Sequence, residues 1–366
     1  MRVRLEDVCE KESSKLKQSD VIDQNGLYPV YGASGYLGNI NTYQQSNYYI
    51  AVVKDGAGIG RTMLLPPESS IIGTMQYLIP KDNVLPEYLY YVVKAKHLEK
   101  YFSGATIPHI YFKDYKNEQF DLVSFEEQRV IINRLKKIEI IIDNLSKNLL
   151  LLDELVRARF VEMFGDPVTN DMLWNTDVLK DICTKIGSGS TPRGGKESYI
   201  DEGISLIRSM NVHNAYFEYK DLAHITLDQA EKLNNVVVEH DDLLFNITGA
   251  SVARCCVVPS DVLPARVNQH VCILRCREKI NPIFLQELLV NENYQGKLLQ
   301  IAKSGATREA INKQQLESLE IVLPPLELQN QFASFVEEID KSRSRIQKSL
   351  EASQELFDSL MQEYFG

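Results

Sequence analysis

The chain has 366 residues, 44% of them hydrophobic and 25% charged, a folded-protein composition that excludes wholesale disorder. At about 150 residues per domain it has room for about two domains. Its 40 basic and 50 acidic residues leave a net charge of −10. That excludes a basic protein coating nucleic acid without regard to sequence, but not a DNA reader with a local basic stripe.

The start, MRVRLEDVCEKESS, lacks the apolar centre of a signal peptide. In the first third, Asn47–Asp55 (NYYIAVVKD) predicts a strand, being β-branched and aromatic between turn residues. It runs into DGAGIG at Asp55–Gly60. Pro86–Phe102 predicts a helix opened by proline, followed by the polar loop SGATIPH at Ser103–His109. Then Ile131, Leu135, Ile138, Ile142, Leu145, Leu149, Leu152 and Val156 alternate steps of 4 and 3, a heptad pattern. A helix from about 124 to 162 would be about 55–60 Å long. Next come GSGSTPRGGK at Gly187–Lys196 and two predicted strand runs, Asn234–Gly249 and His270–Cys276. A second proline-opened helix is predicted over Pro282–Ser304, followed by SGATREA at Ser304–Ala310. LPPLE at Leu323–Glu327 marks the entry to another heptad helix, with Phe332, Val336, Ile339, Ile346, Leu350 and Phe357 on the seam. Arg343 and Ser353 interrupt it.

This order is one pattern written twice. An offset of 201 aligns Phe125–Gln128 (FEEQ) with Leu326–Gln329 (LELQ), SGAT with SGAT, and Phe164-Gly165 with Phe365-Gly366. Upstream the offset shrinks to 196, 193 and finally 174, so the second copy carries about 19 extra residues in its early part. Each copy is a globular unit followed by a helix, and the helices align without gaps. Neither apolar stripe can stay wet. An antiparallel coiled coil between the two helices covers both; the alternative is that each helix packs on its own globular unit.

Motifs that suggest enzymes fail on inspection. DGAGIG misses the methyl-donor glycine spacing by one, and its repeat partner TGASVAR keeps only the first glycine. A glycine hairpin close to a partner backbone explains it better. GSGSTPRGGK fails the phosphate-loop register, since Ser190 stands where glycine is needed and Glu197 follows Lys196. Cys9, Cys183, Cys255, Cys256, Cys272 and Cys276 are too sparse and irregular for a disulfide framework, which fits a reducing cytoplasm, and apolar neighbours favour buried thiols over a metal site. The six histidines form no HExxH pattern, and the densest apolar stretches, Ile138–Ile142 and Leu149–Leu152, fall far short of a membrane span.

The repeated polar loops say more. Small residues in both SGAT loops allow close backbone approach, and Arg61 and Arg254 recur beside the glycine hairpin. Each arginine is a candidate for DNA contact, weighed against a structural ion pair or plain surface charge. The two helix segments carry net charges of 0 and −4, which suits protein contacts better than phosphates. Of 18 tyrosines, 13 precede residue 124; some could stack on DNA, but core and strand positions account for most.

The duplicated order resembles the specificity (S) subunit of type I restriction–modification systems, over essentially the whole chain. The residues that carry the resemblance are YPVYGASGYLG (Tyr28–Gly38), SGATIPH, FEEQRVI (Phe125–Ile131), ARFVEMFGDP (Ala158–Pro167), IGSGSTPRGG (Ile186–Gly195), SGATREAI and LPPLELQ. Copy one departs from the pattern, with VSFEEQ in place of a double proline. The resemblance implies an α+β fold of two mixed α/β target recognition domains joined by two long antiparallel coiled-coil helices, with an internal pseudo-twofold repeat. The expected parts are 1–123, 124–164, 165–325 and 326–366. It further implies that each globular unit reads one half of a split site in double-stranded DNA. The helices would space the half-sites and dock two methyltransferase (M) subunits, which methylate adenine; restriction (R) subunits would cleave. The chain itself would be non-catalytic, with methyl donor, ATP and Mg on its partners, no membrane and a cytoplasmic setting. Candidate DNA contacts are Ser34, Tyr36, Lys54, Arg61, Thr106 and His109 in the first unit. In the second they are Ser188, Ser190, Thr191, Arg193, Arg208, Asn211, Arg254, Thr307 and Arg308. The rival from another class is a coiled-coil adaptor with sugar- or peptide-binding heads.

Overall fold

Strand Tyr49–Val53 is apolar at every position because both of its faces are covered. Ile50 and Val52 meet helix Pro86–Ala95, while Tyr49, Ala51 and Val53 pack on Leu65, Ile71, Met75 and Tyr77. The computed structural model that shows this describes residues 1–21, 25–104, 108–192, 194–303 and 309–366. The chain forms two compact units. One is Met1–Lys147 with Ile346–Gly366, the other Asn148–Arg345, so each unit takes a part of both long helices.

In the first unit, a four-stranded antiparallel sheet runs in the order Cys9–Ser13, Met75–Pro80, Tyr49–Val53, Thr62–Leu65. A three-stranded sheet, Gly35–Ile40, Tyr28–Gly32 and Ser70–Ile71, lies beside it. The second unit repeats the first sheet with Cys183–Ser188, Val271–Cys276, Leu243–Asn246 and Cys255–Val257. Here too alternate residues divide between two cores: Leu243 and Phe245 face one, Leu244 the other. A further sheet of the second unit, Ala223–Ile225, Ile204–Ile207 and Ala265–Val267, repeats the antiparallel and parallel pairings of the first unit's three-stranded sheet and adds strand Val237–Val238.

Three expected elements are divided. The run Asn234–Gly249 is broken between Val238 and Leu243, where Asp241 turns the chain at φ +63° and the buried Asp242 carboxylate accepts from the Glu239 N–H at 2.7 Å. The helix expected over Pro282–Ser304 is two helices, Pro282–Val290 and Glu292–Lys303. Asn291 separates them by accepting, through Oδ1, from the backbone N–H groups of Asn293 and Tyr294, an N-cap that starts a second helix where the apolar run ends. The one expected over Pro86–Phe102 stops at Ala95, and a short 3₁₀ turn, Leu98–Tyr101, follows the left-handed His97.

The long helices are Phe125–Phe164 and Leu326–Phe365. Where the first lacks the double proline, Ser124 and Glu127 form a capping box: the Ser124 N–H donates to Glu127 Oε2 at 3.0 Å and the Glu127 N–H to Ser124 Oγ at 3.3 Å. The repeated glutamine has a specific task. In the first unit the buried Gln128 carboxamide accepts from the Leu85 N–H and donates to the Val123 carbonyl. In the second, Gln329 accepts from the Asn281 N–H and donates to Pro324. Each clamps the start of a long helix to the start of the proline-opened helix. Gln329→Leu orphans both partners in a buried place and should cost about 2–3 kcal/mol. That is a fall of about 4–10 °C in thermal unfolding of a unit this size; a change below 1 °C would contradict the clamp.

All fourteen expected seam residues are buried or half-buried. In the first unit, Ile132, Leu135 and Ile138 share a core with Phe357, Met361 and Phe365 of the second helix, running antiparallel, and with Tyr88 and Tyr91 of helix Pro86–Ala95. In the second, Val156, Phe160 and Phe164 pack on Phe332, Val336 and Phe284. The helices therefore pack on each other and on the globular parts at once; the two alternatives read from sequence are not exclusive. Arg343, which interrupts the heptad, pairs with Asp153 at 2.6 Å.

Beside that pair, Glu287 is buried from helix Pro282–Val290. Burial, aided by nearby Asp340, pushes its carboxyl up to about 7, against the lowering effects of the Gln286 hydrogen bond, Arg343 and Arg157. A carboxyl with a folded pKa above its unfolded one stabilises the fold at low pH and loses that contribution as pH rises through about 7. Glu287→Gln should therefore leave stability unchanged near pH 4.5 and raise it by about 1–3 kcal/mol at pH 8. Equal effects at both pH values in thermal unfolding would refute this.

Candidate nucleic-acid interface

The two motifs repeated in sequence meet in each unit. In the first, the hairpin after strand Tyr49–Val53 is stitched to the segment beyond the SGAT loop. Asp55 bridges His109, the Gly56 N–H donates to the Pro108 carbonyl at 3.0 Å and the Ile110 N–H to Lys54 at 2.9 Å. In the second, Thr248 bridges Ala310, the Gly249 N–H donates to Glu309 and the Ile311 N–H to Ile247, both at 2.9 Å. Gly56 and Gly249 have φ of +90° and +77° with open space where a Cβ would stand. At these two positions the turn demands glycine, while at Gly60, at the end of the DGAGIG hairpin, a Cβ would lie 2.6 Å from the Glu99 backbone nitrogen, the close approach expected there.

Around this frame, the first unit places His109 Nδ1 2.6 Å from Asp55 Oδ1, with its ring stacked on Tyr111 at 6.2 Å. Lys113 lies over the far-reaching Tyr111 ring at 5.2 Å, and Lys54 stands 3.9 Å from Asp55. Arg61 is exposed and donates from Nη1 to the Ala33 carbonyl at 2.8 Å. That bond ties it to the turn bearing Ser34 and Tyr36, the latter 61% exposed. Five of the six first-unit candidates thus lie on joined loops. Thr106 lies outside the described residues, as do Arg193, Thr307 and Arg308.

In the second unit, Thr191 Oγ1 donates to Gln269 Oε1, Gln269 contacts His270 Nε2 at 3.1 Å, and His270 Nδ1 meets Thr248 Oγ1 at 2.6 Å. This chain couples the glycine-rich loop to the hairpin. Gly189 in that loop is obligatory, because a Cβ would lie 1.8 Å from the Val267 carbonyl oxygen. Its glycine is a packing requirement. Ser188 pairs with Cys272 in the sheet, and Ser190 is exposed. Arg254 contacts His213 Nδ1 at 3.4 Å and lines an open concavity of about 630 Å³ with Ser209, Thr248 and His270.

Two candidates are reassigned. Asn211 is fully buried, and its amide donates to the carbonyls of Glu218 and Lys220 at 2.9 and 3.3 Å while its oxygen caps the Arg208 N–H. It shapes the loop and presents nothing to a ligand. Arg208 donates to the Asp221 carbonyl and stacks over Tyr199, so much of its guanidinium is committed to the fold. The cysteines form no disulfide among the described residues; burial pushes the thiols of Cys9, Cys256 and Cys272 up to about 12.

A family model for the type I restriction modification DNA specificity domain matches residues 1–151 and again 172–354. The chain belongs to that family. This specificity subunit is 24% identical over 307 residues to the type I restriction enzyme MjaIX specificity subunit of Methanocaldococcus jannaschii, covering 78% of this chain and 69% of that one. The crystal structure of the S subunit from M. genitalium superposes with a TM-score of 0.68 at 15% identity, covering 100% of this chain and 96% of that one. A chain from a study of complex assembly and conformational transition of the type I R-M system gives 0.57 at 16%, covering 100% and 97%. The chain is a DNA-recognition subunit of a type I system, and the adaptor reading falls. No helix among the described residues is long and apolar enough to cross a membrane.

His213, Tyr216, Gln269 and Asp55, which orient the candidate contacts, were not legible in the sequence as site residues. His213 and Arg254 are 41 positions apart, and no spacing rule links them. The signal within reach was the length difference between copies, since His213 lies in the early part where the second copy is longer.

Proposed function

We propose that each unit reads one half of a bipartite, asymmetric DNA target through its hairpin-and-loop cluster. The observation that carries this is the shared frame with unshared surroundings. Both units hold an arginine after an equivalent hairpin, but Arg61 is set by the Ala33 carbonyl and Arg254 by His213. A common scaffold with different neighbours suits two different half-sites. In this reading the long helices space the half-sites and dock two M subunits, which methylate adenine, and R subunits add cleavage. Methyl donor, ATP and magnesium then belong to those partners, and the complex works in the cytoplasm. Methylation mapping of DNA from cells carrying this chain with its M partner should give a split, asymmetric motif; a continuous motif would reject the reading.

A net charge of −10 leaves little counterion release to drive binding by the chain alone. The purified chain should bind its target weakly at physiological salt, and M subunits should tighten binding greatly. Nanomolar specific binding by the chain alone, measured by fluorescence anisotropy, would contradict this.

A further inference from the structure

In the second unit Arg254 stands at the wall of the concavity. Among the described residues Arg254 forms no ion pair, and its side chain makes one polar contact, Nη1 to His213 Nδ1 at 3.4 Å. The Nε and Nη2 groups, two parallel N–H donors, are left unengaged at the wall of the concavity. His213 is itself fixed on three sides. Its ring stacks on Tyr216 at 4.6 Å and 15°, its Nε2–H donates to the Met210 carbonyl at 3.2 Å, and its backbone N–H donates to Tyr216 at 3.1 Å. Asn246, buried in the sheet, bolts this segment down by donating to the carbonyls of Ser209 and Val212. With Nε2 donating, Nδ1 of the neutral ring carries the lone pair that accepts from Arg254. A carboxylate in that place would neutralise the guanidinium; an imidazole aims it and leaves its charge intact.

We propose that Arg254 reads a guanine in the second half-site through the Nε/Nη2 edge of its guanidinium, and that His213 is the positioning residue that aims it. The proposal rests on the reading that this unit contacts DNA. Two parallel donors match the O6 and N7 acceptors of guanine in the major groove. A phosphate offers acceptors too, but needs only charge within reach and gains little from an arginine held by a stacked, doubly bonded histidine. Arg61 occupies the matching place in the first unit with a different tether, so the shared arginine serves two half-sites and the tether sets its direction.

The test is motif mapping with the complete complex of this chain and its M partner. Arg254→Ala should lower discrimination for guanine at one position of the second half-site on the order of 10- to 100-fold, with the first half-site unchanged. His213→Phe should relax that same position, and His213→Asn, whose Oδ1 replaces Nδ1, should restore it. A merely structural role for His213 predicts no such single-position effect and no such rescue. Uniform loss across all sequences with a shallower salt dependence in Arg254→Ala would make it a phosphate contact and overturn the proposal. So would an unchanged motif in a folded His213→Phe variant. A wild-type complex with no sequence motif would instead overturn the DNA reading beneath it.

Discussion

A fragment of residues 1–165 should be a homodimer in solution. It contains the whole globular part of the first unit and the first long helix, but lacks Phe357, Met361 and Phe365, which cover Ile132, Leu135 and Ile138. Leaving those side chains wet costs about 1.5–3 kcal/mol each. The repeat supplies a replacement, because at the offset of 201 Val156, Phe160 and Phe164 correspond to Phe357, Met361 and Phe365. In the intact chain those three pack on Phe332 and Val336, the counterparts of Ile131 and Leu135. Each fragment can therefore offer its helix end to the other, with two identical contacts about a twofold axis. Light scattering should give twice the fragment mass. With M subunits the dimer should direct methylation to an inverted repeat of the first half-site. A stable soluble monomer would remove the packing basis, and an asymmetric motif would remove the assignment of one unit to one half-site.

Arg275→Met should destabilise the second unit by about 3–5 kcal/mol. Asp242 is fully buried, and Arg275 grips it with two parallel bonds, Nε to Oδ1 at 2.8 Å and Nη2 to Oδ2 at 2.9 Å. Nη2 also donates to the Val237 carbonyl at 3.0 Å, so one side chain joins strand Val271–Cys276 to the turn after Val238. Methionine keeps much of the volume but leaves a carboxylate buried without its cation. Adding Asp242→Asn should recover most of the loss, since the cost comes from the stranded charge and not from the missing pair. Denaturant unfolding of the single and double variants decides the point; a double variant no better than the single one would place the loss in packing.

Much of the architecture was legible in the residues. Heptad steps marked the faces of both long helices, because a stripe that must leave water writes its period into the chain. The constant offset of 201 showed that the two helices are equivalent, and proline placed the starts of Pro86–Ala95 and Pro282–Val290. The resemblance carried by the duplicated motifs supplied the family. What needed the fold was every relation between residues far apart along the chain. Nothing in the sequence says that the segments following the SGAT motifs meet the hairpins, yet backbone bonds join Pro108 and Ile110 to Gly56 and Lys54, and Glu309 and Ile311 to Gly249 and Ile247. No local pattern separates Asn211, whose amide is consumed inside the loop, from Arg254, whose guanidinium edge is left open. The reason is physical. Periodicity records only whether a side chain faces water or core, an average over its surroundings. A binding side chain is defined by which of its hydrogen bonds are already taken, and those partners come from segments that only folding brings together.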